Sequence, residues 1–169
     1  MTSRGKGNAA EREVAKLVQQ WWHKLESGCR FVRTPLSGGW GGPSLRAEFR
    51  ASGDLMTTAK QWPFGVEVKR REGWSMRNLR QAKASPVWKW WEQTQDAAAE
   101  MDAEPMLWFR KNRMPWYVMF RSGYLLLRRP ELPDPFEWTV DQLLELNWGE
   151  KPRVCMATDL LRLNPRLFA

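Results

Sequence analysis

Gly53-Asp54-Leu55-Met56-Thr57-Thr58-Ala59-Lys60-Gln61-Trp62-Pro63-Phe64-Gly65-Val66-Glu67-Val68-Lys69 is the stretch on which the reading of this chain turns. Residues 55–57 and 64–68 read as two strands around a polar turn. Side chains alternate along a strand, so Glu67 and Lys69 share one face while Val66 and Val68 supply the core from the other. A hairpin turning at residues 59–62 pairs Thr58 with Pro63, Met56 with Gly65 and Asp54 with Glu67. Directly opposed side chains have Cβ atoms about 4.5–5.5 Å apart, and like charges there repel. The arrangement therefore calls for a cation. Lys69 fills that place as an ordinary ion pair worth about 0–1 kcal/mol. A divalent metal fills it with chemistry. Asp54, Glu67 and a backbone carbonyl such as that of Val68 make a hard, all-oxygen site of the kind Mg²⁺ favours, with positions left for water. Metal held there polarises a phosphodiester and acidifies a bound water. Lys69 beside it neutralises charge building on phosphorus or orients the attacking water. On the residues alone, ion pair and metal site stand side by side.

Working outward, Asn8-Ala9-Ala10-Glu11 reads as a capping box. Behind it Val14, Leu17, Val18, Trp21, Trp22 and Leu25 recur at helical steps as far as Ser27-Gly28. Residues 30–34 alternate like a short strand, and residues 37–43 are too glycine-rich for a regular element. Ser85-Pro86 opens a helix running to about Met101. Residues 106–109 and 116–120 form a strand pair across Lys111-Asn112-Arg113. Short helices are expected at 122–129 and, after a second capping box at Thr139, to Leu146, with a last strand at 154–158. The order α-β-β-β-α-β-β is that of a mixed α/β domain, with residues 1–120 as its core and residues 121–169 as a C-terminal extension of the same domain.

The whole chain, 169 residues with 43% hydrophobic and 27% charged side chains, falls in the range of one globular domain. No apolar run approaches a bilayer span, and the N-terminus has no apolar segment of the signal-peptide kind. Cys29 and Cys155 lack partners for a zinc site or a disulfide framework, so a reducing compartment, the cytoplasm, is expected. Charge is one-sided. Residues 1–90 carry 17 basic against 7 acidic side chains, while residues 91–169 carry 10 against 12. Such an excess is the footprint of a polyanion binder, most often nucleic acid, although a merely soluble basic protein shows it too.

Asp54, twelve intervening residues and Glu67-Val68-Lys69 resemble the D…ExK core of the PD-(D/E)xK nuclease superfamily. Lys6-Gly7-Asn8-Ala9-Ala10-Glu11-Arg12-Glu13, then Arg33…Leu36-Ser37-Gly38 and Ser52-Gly53-Asp54, are similar to the start of archaeal-type Holliday-junction resolvases, including phage-borne relatives. The likeness covers residues 4–83 well and 84–120 in element order only. It implies a restriction-endonuclease-like α/β core, a central mixed sheet flanked by helices. It also implies that Asp54 and Glu67 hold metal, that Glu11 completes the metal site or its water shell, and that Lys69 is the catalytic lysine. Ser37 matches a serine at the scissile region, a looser match because loop lengths vary. Gly53 stands where the superfamily name puts proline, and the stretch from Ser37 to Gly53 is longer and richer in glycine and tryptophan than the family pattern.

Other residues carry a bland reading beside a functional one. Glu13 competes with Glu11, which the family register favours. Arg70, Arg71, Arg77, Arg80 and Lys83 form either a solvated face or contacts to backbone phosphates. Arg4, Lys6 and Arg33 join them as candidate DNA contacts, and Gln81 sits where related nucleases place a glutamine near the metal. Of twelve tryptophans, Trp21, Trp22, Trp88 and Trp91 fit a core or a dimer interface, while Trp40, between glycines, is a candidate to stack on branched DNA. His23 has no second histidine to act with. The expectation is a Mg²⁺-dependent endodeoxyribonuclease, with Mn²⁺ able to substitute, that resolves four-way junctions by symmetric nicks. Two nicks on a two-fold substrate imply a homodimer. The expected setting is the cytoplasm, the host's for a phage-borne chain, with no membrane partner. The alternatives are another nuclease of the superfamily, acting on flaps, ends or a specific duplex, and a non-catalytic DNA-binding module on the same fold.

Overall fold

The computed structural model of the chain describes residues 3–35, 48–80, 85–121 and 152–169. Helix α1 (Ser3–Trp22) buries Val14, Val18, Trp21 and Trp22, the apolar stripe that its sequence spacing predicts. It begins six residues earlier than the capping-box reading places it. Asn8 lies inside the helix, and its Oδ1 accepts a hydrogen bond from Arg33 at 3.3 Å instead of capping the first turn. Strands β1 (Phe31–Arg33), β2 (Arg50–Ser52) and β3 (Leu55–Thr57) form an antiparallel sheet with β3 in the middle. A second sheet, in the order β4-β5-β6-β7, contains β4 (Phe64–Arg70), β5 (Glu104–Arg110), β6 (Tyr117–Arg121) and β7 (Pro152–Met156). β4 and β5 run parallel; the other pairs are antiparallel. Between β4 and β5 come the short helix α2 (Met76–Arg80) and helix α3 (Pro86–Glu100). Ser85 caps α3 by accepting from Val87 N at 3.4 Å, with Pro86 in the first turn as expected. The chain ends in α4 (Ala157–Leu160), where the sequence pattern suggests continued strand, and a 3₁₀ turn at Pro165–Leu167.

The expected hairpin between β3 and β4 does not form. β3 pairs with β1 and β2, and among the described residues the first sheet is bridged to β4 at Gly53, in the turn between β2 and β3, which forms an isolated parallel bridge with Val66. The turn at 58–62 leads the chain from one sheet to the other instead of reversing it within one. Glu26 accepts from Lys60 N at 2.6 Å and Gln61 N at 3.3 Å, while Arg50 donates to the carbonyls of Ala59 and Trp62. Those ties come from residues distant in sequence, so the local pattern cannot announce them.

Two cores lie on opposite faces of the four-stranded sheet. Val66, Val68, Met106, Trp108, Val118 and Phe120 pack with α1 and with Leu160 and Phe168 at the chain's end. Leu107, Phe109, Met119 and Val154 pack with Trp88 and Trp91 of α3 and with Trp74. Trp62 sits at the centre of the first core, edge-to-face with Trp21, Trp22, Phe31 and Phe64 at centroid distances of 4.9–6.3 Å. Its Nε1 donates to Ser52 Oγ at 2.9 Å, and Ser52 Oγ donates to Phe64 O at 2.6 Å. The tryptophans on α1 and α3 are therefore core residues, and Cys29 and Cys155 are buried without a disulfide.

Candidate active site

Gly53 sets the geometry of the site. Its φ of +75° is a conformation that glycine adopts without strain, and a Cβ there would overlap the Val66 carbonyl oxygen. This close approach brings Asp54 N to Val66 O at 2.7 Å and Asp54 Oδ2 to Val68 N at 2.8 Å. Thr34 secures the other side, its N donating to Asp54 O and its Oγ1 to Gly53 O, both at 2.8 Å. Asp54 and Glu67 are thus neighbours, through a parallel bridge rather than by opposition in a hairpin. Beyond Val66 the outer edge of β4 is free of the first sheet, and Val68 turns its N–H to Asp54 there. Its carbonyl lies on the same edge, because N–H and C=O of one strand residue point the same way.

Glu67 and Lys69 are half-buried on this edge, and the Lys69 ammonium pairs with Glu67 Oε1. From α1, Glu11 reaches the same place, with Arg33 NH1 3.6 Å from its Oε2. Arg33 spans Glu11 and Asn8, one turn apart, so it ties α1 to β1. Glu11, Asp54, Glu67, Val68 and Lys69 line one cleft of about 390 Å³. Burial pushes the Asp54 carboxyl up to about 7 from its ordinary 3.8. The charges of Glu67 and Glu11 add to the rise, against the Val68 N–H and Lys69. Burial likewise raises Glu11, with Glu67 adding to it and Arg33 opposing. Ion pair and unrelieved negative charge therefore coexist: Lys69 engages Glu67, and Asp54 still faces two carboxylates.

That surplus fits a hard cation. Asp54, Glu67 and the Val68 carbonyl are an all-oxygen donor set, open on the cleft side, of the kind that holds Mg²⁺ through one or two carboxylates and its own waters. Among the described residues, no group of three or more acidic, histidine or cysteine side chains is placed to hold a metal ion by itself, so the donor set is the two carboxylates and the carbonyl. Glu13 lies elsewhere. Its carboxylate is gripped by both terminal nitrogens of Arg110, one at 2.9 Å, and by Trp116 Nε1 at 3.1 Å.

Arg70 and the exposed Arg71 both line the cleft; Arg77 is exposed on α2. Arg4 and Lys6 fall in the first turns of α1 and Arg80 at the end of α2, with their side chains outside what is described. Ser37, Trp40, Gln81 and Lys83, and the helices expected at 122–129 and 139–146, lie outside the described residues. His23 is exposed. Two cleft residues escape the sequence reading, Asn112 and Glu72. Arg70 Nε donates to Asn112 Oδ1 at 2.9 Å, and Asn112 N donates to Glu72 Oε1 at 2.9 Å. The only local signal was a polar turn with basic neighbours, which most hairpins share.

Among the described residues, no helix is long and apolar enough to cross a membrane. No curated protein and no solved structure matches the chain. Residues 2–130 match the family described as "Phage putative PDDEXK endonuclease". Nucleases of this superfamily generally use divalent metal ions. The mixed α/β architecture agrees with the fold expected of them, and the chain belongs to this phage PDDEXK endonuclease family.

Proposed function

We propose that the chain is a Mg²⁺-dependent endodeoxyribonuclease that resolves four-way DNA junctions by paired nicks, acting as a homodimer in the cytoplasm of the host. One observation carries the chemistry: three carboxylates and a lysine from α1, the Gly53 turn and β4 meet in a single cleft at the β4 side of the sheet. Asp54, Glu67 and the Val68 carbonyl would hold the metal, which when bound supplies positive charge at the phosphodiester and acidifies water. Lys69, fixed by Glu67, places its ammonium where charge builds on the phosphoryl oxygens. Glu11, held by Arg33, orients a water or completes the metal's shell. Ser37 is assigned to the scissile region, Trp40 to stacking on the branch, and the basic residues after β4 to backbone phosphates.

The junction as substrate is supported by the similarity of residues 6–13, 33–38 and 52–54 to junction resolvases, and two symmetric nicks need two copies of the site. The test is a labelled immobile four-way junction beside its matching linear duplex, each with Mg²⁺ and with EDTA, using wild type and Glu67→Ala. Symmetric, metal-dependent nicks confined to the junction and lost in Glu67→Ala are expected. Equal cutting of the duplex would retain the nuclease and remove the resolvase. Binding without cutting, whatever the divalent ion, would replace both with a DNA-binding module.

A further inference from the structure

Resting on the nuclease reading above, we infer that the turn between β5 and β6, residues 111–113, is the second wall of the DNA cleft and grips backbone phosphates flanking the one that is cut. The topology brings it there. β4 and β5 stay in parallel register as far as Arg70 beside Arg110, and Arg71 N donates to Arg110 O at 3.1 Å, extending the pairing by one further bond. Both strands therefore release their chains at the same end of the sheet, next to Glu67 and Lys69. The two exits are cross-tied by the bonds from Arg70 to Asn112 and from Asn112 to Glu72.

Those ties act on the cations. A guanidinium is a planar fork, so fixing Nε on Asn112 fixes the plane in which its remaining donors lie. Residues 69–72 and 110–113 together hold six cations and one carboxylate. Lys69 is paired with Glu67 and Arg110 with Glu13. Lys111 rests with Nζ 5.5 Å from the centre of the Trp74 ring, which props its stem against the second core. Arg113 is exposed and sits at φ +62°. For a side chain other than glycine that left-handed conformation is strained. A free turn would relieve it with glycine, so the strained position retains a cation at a cost. A rim of cations beside a cleft that holds carboxylates, with Arg71 and Arg113 exposed and Lys111 partly so, suits an extended polyanion, whose phosphates repeat at regular steps, better than a small anionic ligand.

The experiment measures binding of the full chain to junction DNA in EDTA, across a series of NaCl concentrations, for wild type and for Lys111→Gln/Arg113→Gly. The glycine removes the charge and the strained conformation together, so a weakened fold is not its expected consequence. The slope of log affinity against log salt should fall by about two in the double variant, and return in Lys111→Arg/Arg113→Lys. A double variant with the wild-type slope and affinity, or a conservative pair that stays as weak as the neutral one, overturns the turn's role and leaves the nuclease reading standing. A wild type with no salt-dependent affinity for DNA overturns both.

Discussion

Glu13 and Glu11 stand two positions apart on α1, and their surroundings differ in kind. Glu13 faces a guanidinium that grips it with two nitrogens, while the Trp116 indole donates to it and stacks on the same guanidinium at 4.3 Å. Every charge in that clamp has its opposite, and the effect is to fasten α1 onto β5. Glu11 faces Asp54 and Glu67, with Arg33 and Lys69 as partial relief, and burial raises the proton affinity of both Glu11 and Asp54. A cluster built for stability alone would replace one of those carboxylates with an amide. The contrast separates polar groups that hold the fold from polar groups that the fold holds at a cost, and the second set marks where ligand and chemistry belong.

The sharpest way to break this contrast is Asp54→Asn. Nicking of DNA should fall to background, while the melting temperature at pH 8 without metal should rise, because the amide still accepts from Val68 N and carries no charge. A variant that lost activity and stability together would make Asp54 structural. Next in size is Trp62→Ala, which empties the centre of the first core and should cost about 3–5 kcal/mol in denaturant unfolding. A smaller, directional effect comes from pH. A carboxyl whose pKa is higher folded than unfolded favours the folded state while it keeps its proton. That advantage disappears as pH rises from about 3.8 to about 7, and stays lost above. Metal-free wild type should therefore lose stability relative to Asp54→Asn across that window, by on the order of 2–4 kcal/mol, and recover it when Mg²⁺ is added at pH 8. Parallel pH profiles for the two proteins would remove the electrostatic argument. Smallest is Glu13→Gln, expected to cost about 1 kcal/mol of stability and to leave metal-dependent nicking within a fewfold of wild type. If nicking collapsed instead, the two glutamates would belong to one site.

The parts of this molecule that were legible in the sequence are those whose causes are local. The stripe of Val14, Val18, Trp21 and Trp22, the Ser85-Pro86 start of α3, and the short apolar runs of β5 and β6 on either side of a polar turn each depend on neighbours within a few residues. Pairing between strands depends on partners far along the chain, and there the reading failed. The turn at 58–62 looks like a hairpin, yet it is held by Glu26 and Arg50 and carries the chain between sheets. β2 escaped notice because Arg50 and Ala51 are exposed and only Ser52 is buried, which leaves no alternation to see. Of the cleft residues, Asp54, Glu67, Lys69 and Glu11 were named from spacing and resemblance. Asn112 comes to the site only through the parallel pairing of β4 with β5, and Glu72 gains its place there by accepting from Asn112 N, so neither has a local signal.

Position 53 has a consequence for how this chain can vary over evolutionary time. Proline, the residue for which the superfamily is named, is locked near φ −65° and cannot take the +75° found here, and any β-carbon would run into the Val66 carbonyl. The glycine is therefore an evolutionary cul-de-sac. A saturation library at this codon should return glycine alone among active clones, and introducing a Pro-Asp pair would require the bridge to β4 to be rebuilt first.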